Sequence, residues 1–139
     1  MKKNTVLIAL AAIIISGCTK HNTPDTPLEQ MPDSTAGAKY SGAFSNGPYG
    51  TVSGKAGVYL QNGQYKLALE NLLSPNGPDL HVYLSREVQP VNYIDLGRLQ
   101  STSGNQVYTV GSTPDFSQYK HALVHCQRFN HLFGSAELR

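Results

Sequence analysis

The sequence predicts an all-β domain: a single antiparallel β-sandwich or barrel of about eight short strands. Two observations carry this. Thirteen glycines and eight prolines break the chain every few residues, and no long stretch repeats its apolar residues at helical spacing. The chain also holds a clear hairpin, Val58–Gln61 and Gln64–Leu67 joined by Asn62-Gly63. Asn-Gly favours the two positive backbone dihedrals of a type I′ turn. A two-residue loop then sets Leu60 opposite Tyr65 and Val58 opposite Leu67, so that the apolar side chains share one face.

Further strands are predicted at Leu80–Leu84, Asn92–Leu96, Gln106–Val110, Tyr119–Cys126 and around Leu132–Leu138. Leu80, Val82 and Leu84 alternate with Asp79, His81 and Tyr83, the pattern of a sheet with one wet face. Asp115–Tyr119 suits a short helical turn.

The N-terminus reads as an address. Lys2 and Lys3 precede an apolar run from Val6 to Ile15, too short for a bilayer-spanning helix of roughly 20 residues. The run closes on Ile15-Ser16-Gly17-Cys18, which resembles a bacterial lipoprotein signal whose cysteine is acylated and becomes the first mature residue. Residues 1–17 are then a signal peptide, and several acyl chains on Cys18 hold the protein on a membrane. This implies a lipid-anchored protein of the bacterial cell envelope, periplasmic or surface-exposed. Residues 18–38 carry Pro24, Pro27 and Pro32 with little to bury, and are expected to form a flexible tether. Residues 39–139 form the domain, large enough for one core without disulfides.

Setting Lys2 and Lys3 aside leaves nine basic against nine acidic residues. No basic stripe interleaved with aromatics remains, which excludes a nucleic-acid partner. Conventional enzyme chemistry is disfavoured too. No G-x-S-x-G frame presents a serine, and the glycine-rich stretch Gly47–Gly57 lacks a following helix for phosphate binding. Asp79 and Asp95 are candidate paired carboxylates, although Asp79 follows Asn76-Gly77-Pro78 and suits bonding to turn amides.

The chemically loaded residue is Cys126. It is one of two cysteines, and acylation of Cys18 leaves it without an intrachain partner. Strand alternation puts Ala122, Val124 and Cys126 on one face and His121, Leu123 and His125 on the other. Cys126 is therefore a packed core residue, a redox thiol, or a thiolate ligand to a metal or haem iron. His121, His125 and His131 lie close by in sequence, with His81 on another strand. Adjacent His125 and Cys126 point to opposite faces, however, and no C-x-x-C, C-x-x-C-H or H-E-x-x-H spacing occurs. Tyr83, Tyr93 and Tyr108 line a solvated face, with Tyr49 near a turn, or else pack across strands.

Several blocks together resemble the DM-thirteen, or electron-transfer, domain. They are Tyr40-Ser41-Gly42-Ala43-Phe44, Gly50–Gly54, Asn76-Gly77-Pro78-Asp79-Leu80-His81-Val82-Tyr83-Leu84, Asp95-Leu96-Gly97-Arg98-Leu99, Gly104-Asn105-Gln106-Val107-Tyr108, Tyr119 through Cys126 to Phe129, and Phe133–Leu138. The resemblance implies a β-rich domain with a characteristic cysteine, here Cys126, proposed to act as a free thiol or through a group such as haem. The family's usual tryptophan before that cysteine is His125 here, and its usual histidine between Phe44 and Gly50 is absent. The expected function is a membrane-tethered redox or electron-transfer module using Cys126, with a redox or other envelope protein as partner. The alternative is a non-catalytic binding or assembly module in which Cys126 is core.

Overall fold

The computed structural model describes residues 23–139 other than 34 and 36; the expected signal peptide and Cys18 lie outside these residues. Among the described residues, nine strands form one curled, mostly antiparallel half-barrel. They are β1 (Leu28–Glu29), β2 (Tyr40–Asn46), β3 (Ser53–Gln61), β4 (Gln64–Leu73), β5 (Leu80–Ser85), β6 (Tyr93–Arg98), β7 (Ser103–Thr109), β8 (His121–Cys126) and β9 (His131–Glu137). Their order in the sheet is β1-β7-β4-β3-β2-β9-β8-β5-β6. The all-β reading holds, and so does the hairpin register: Leu60 faces Tyr65, Val58 faces Leu67, and Asn62 and Gly63 take φ of 51° and 75°. Asp115–Tyr119 forms a turn closed by the Gln118 and Tyr119 amides on the Asp115 carbonyl.

The curl centres on β2. Tyr40–Ala43 pair with β3, whereas Phe44–Asn46 pair with β9, so one strand serves both halves of the sheet. Gly134 lets those halves close up: a Cβ there would lie 2.6 Å from that of Val52. Inside the curl, Val58, Leu67, Leu69, Leu80, Val82, Leu84, Val124 and Cys126 belong to one apolar core.

Two expectations need correction. First, β5 has no wet face, since all six of its residues are buried. Strand alternation assigns faces correctly, but β6 and β8 flank β5 and their side chains cover the outer face. Tyr83 packs there in a small second cluster with Leu123 and Leu132. Tyr108 is likewise buried in the main core, so only Tyr93 of the three tyrosines is exposed.

Second, the segment expected to be a tether is docked from Thr23 to Gln30. Asn76 clamps Thr23, its Oδ1 accepting from the Thr23 amide (3.1 Å) and its Nδ2 donating to the Thr23 carbonyl (2.7 Å). The Thr102 amide donates to the Pro24 carbonyl, and the hydroxyls of Ser103 and Ser101 donate to the carbonyls of Asp25 and Thr26. β1 then runs parallel to β7. Polar composition argues against apolar burial, but this strap is held by hydrogen bonds along a sheet edge.

Gly104 permits the strap. It has φ of +92°, and a Cβ on it would collide with the Leu28 backbone. Gly104→Ala is expected to release residues 23–30 and cost roughly 1–2 kcal/mol. Hydrogen exchange checks this: the Gln30 and Thr102 amides lose protection, while those of the β3–β4 hairpin keep it.

Candidate functional site

Cys126 ends β8, where its ladder neighbours are Leu80 on β5 and His131 on β9. It is the free cysteine of the described residues, and it is 1% exposed within the main core. Paired residues of an antiparallel ladder point to the same side, so Cys126 and His131 share a face with their Cβ atoms about 5 Å apart. His131 is half-buried at the mouth of the half-barrel and stacks flat on Tyr49, with ring centroids 3.6 Å apart and planes within 2°. The loop after β2 brings Tyr49 there, its amide donating to the Leu132 carbonyl at 3.2 Å. Phe129, in the β8–β9 turn, lies 5.9 Å from the same imidazole. The buried thiol therefore adjoins an imidazole that leads to an exposed aromatic edge.

The opposite face of β8 presents His125, as alternation predicts. His125 is 3% exposed, and neither ring nitrogen has a hydrogen-bond partner. Its ring lies 5.2 Å from that of Tyr83, which stacks on the exposed Tyr93 at 4.2 Å. Burial pushes the His125 pKa down and His131 and His81 push it further; Asn130 pulls the other way without meeting hydrogen-bond geometry. Burial, with Tyr93 and Asp95 nearby, pushes the Tyr83 phenol up.

Beyond Tyr83, the two candidate carboxylates come together on one histidine. His81 Nδ1 meets Asp95 Oδ2 at 2.9 Å, and its Nε2 meets Asp79 Oδ1 at 3.3 Å. Asp79 also pairs with Arg98 at 3.3 Å. The Asp79 carboxylate thus holds His81 and Arg98, not the turn amides expected of it. The i, i+2 spacing of Asp79 and His81 was a usable signal, whereas the arrival of Asp95 depends on a register shift between β5 and β6.

Among the described residues no three His, Cys, Asp or Glu side chains converge as a metal-ligand set. His121, at the far end of β8, lies near Glu137 and away from Cys126. A haem does not fit at Cys126 either: the thiol is enclosed in packed core, and an open cleft of about 390 Å³ along β2 and β9 runs past Ser41, His121 and Glu137 and does not reach it.

These features describe a small β half-barrel with a lone buried thiol beside a histidine–tyrosine stack. The Electron transfer DM13 family matches residues 43–138, and the chain belongs to that family. No curated protein and no solved structure matches it.

Proposed function

We propose that the protein is a lipid-anchored redox module of the bacterial envelope, tethered through Cys18, in which Cys126 is the redox-active side chain. Family membership supports electron transfer, and the Lys2, Lys3 and Ile15–Cys18 pattern supports the anchor. The observation that carries the site is the pairing of Cys126 with His131, itself stacked on exposed Tyr49. The domain has no second thiol within the described residues to form a disulfide with Cys126, and burial keeps bulky thiols away. One-electron exchange suits this setting: the thiol gives its electron to an oxidised envelope partner through the His131–Tyr49 stack, and its proton to His131.

Mediated redox titration tests this on wild type, Cys126→Ala and His131→Asn. Wild type is expected to show one reversible wave, which Cys126→Ala loses and which His131→Asn moves to higher potential, because the thiol's proton then has no acceptor beside it. A wave that survives Cys126→Ala places the redox group elsewhere.

A second reading is favoured by the 1% exposure of Cys126. In it the domain binds or assembles with an envelope protein or glycan, and Cys126 only packs. That reading predicts no wave in any of the three proteins, with a folded Cys126→Ala variant retaining its partner.

A further inference from the structure

We infer that the end of the half-barrel bearing Tyr49, Leu73 and Phe129 faces the lipid bilayer. The inference rests on the anchor reading of Cys18, and chain length carries it from there. Thr23 is already clamped to Asn76 in the β4–β5 loop, which leaves five peptide steps between the acylated cysteine and the folded domain. Five extended residues reach at most about 18 Å. The domain is longer: the nine residues of β3 alone span about 30 Å. An anchor attached at the Asn76 end cannot bring the opposite end, with the Asn62-Gly63 hairpin, down to the membrane.

The near end suits that position. The strand directions gather the β2–β3, β4–β5, β6–β7 and β8–β9 loops there, together with Thr23. Three large apolar side chains project from it: Tyr49 (55% exposed), Leu73 (62%) and Phe129 (56%). Arg128 lies exposed beside Phe129. Aromatic rings with an adjacent arginine suit the headgroup layer, where the ring sits at the apolar boundary and the cation meets phosphate. Exposed apolar residues also occur at the far end, Val91 among them, but the short link holds those away from the lipid.

The chain contains no tryptophan, so a single introduced tryptophan reports its own surroundings. Phe129→Trp and Val91→Trp replace exposed residues at opposite ends. Each full-length protein, isolated from bacterial membranes, is reconstituted in vesicles of phosphatidylethanolamine and phosphatidylglycerol with brominated acyl chains. Emission from Phe129→Trp is expected to shift to the blue and fall at least about twofold, while Val91→Trp stays as bright as in unbrominated vesicles. Equal quenching of the two, or quenching of Val91→Trp alone, overturns the orientation. So does an unquenched Phe129→Trp on protein whose mass shows acylated Cys18. Missing acyl mass sinks the anchor reading and this inference together, and mass spectrometry of the same samples separates the two failures.

Discussion

Replacing Gln106 with leucine is expected to cost the domain about 3 kcal/mol, although leucine nearly matches its volume. Gln106 is fully buried and every one of its bonds is internal. Its Oε1 accepts from the Ser101 amide (3.3 Å) and the Tyr108 hydroxyl (2.7 Å), while its Nε2 donates to the Ser101 carbonyl (2.5 Å). Tyr108 accepts in turn from the Gln100 amide at 2.9 Å. Leucine would leave three buried polar groups short of a partner, far from water, and each such group costs roughly 1–3 kcal/mol before the loop relaxes. The loop concerned, residues 99–102, also holds the strap through the Ser101 hydroxyl and the Thr102 amide. Thermal unfolding is therefore expected to move down by roughly 10 °C, with the strap amides losing protection first. A midpoint within a degree or two of wild type would show that the network contributes nothing net.

That network also explains why one sequence block stood out. Gly104-Asn105-Gln106-Val107-Tyr108 looked like a family signature, and four of its five residues have structural work in this fold. Gly104 makes room for the strap, and Asn105 Oδ1 accepts from the Asn71 amide at 2.7 Å, where the chain takes φ of 49°. Gln106 and Tyr108 hold the β6–β7 loop. The motif supports the architecture around the site and supplies none of the site's groups.

What was legible follows the same division. The strand set and the 58–67 hairpin register were readable because turn chemistry and side-chain alternation are local. Alternation also put Cys126 and His125 on opposite faces. Whether a face is covered depends on strands distant in sequence: the burial of Tyr83 needs β8 on one side and Tyr93 from β6 on the other. The pairing of Cys126 with His131 follows from the tight turn at Gln127–Asn130, but stacking on Tyr49 requires a loop about 80 residues away to fold across the barrel mouth. Composition misses the strap because it measures what a segment can bury, not the edge it can hydrogen-bond to.

The end proposed to face the membrane and the proposed redox path meet at the same residues. Tyr49 and Phe129 flank His131, and His131 pairs with Cys126. If electrons leave by Tyr49 while that edge rests on lipid, the partner they reach is itself held in or on the membrane. A water-soluble partner would instead have to approach from the side, and the two arrangements differ in whether vesicles slow or speed electron exchange.

His125→Phe is expected to stabilise the domain by about 1–2 kcal/mol at neutral pH and to weaken its response to mild acid. The gain comes from removing two ring nitrogens that are buried without partners, in a slot already bounded by the Tyr83 ring and by Leu132 across the ladder. A phenyl ring is slightly larger, and tight packing offsets part of that gain. The pH effect has a definite sign. Burial holds the folded-state pKa of His125 below its unfolded value of about 6.5, so the unfolded chain takes the proton first as pH falls. Stability is then whole above about pH 6.5 and falls below it, by up to about 1.4 kcal/mol per pH unit, until the folded state is protonated too. His121 is shifted in the same direction, again mainly by burial, and remains in the variant, so the slope is reduced and not abolished. The lowered carboxylates Glu87, Asp115 and Glu137 act nearer their own range, about pH 4.5 and below, and leave this window to the histidines. Urea midpoints at pH 7.5 and 5.5 give the comparison directly. Wild type is expected to lose more between them than His125→Phe, and equal losses would mean that His125 reaches a proton acceptor or water in the folded state.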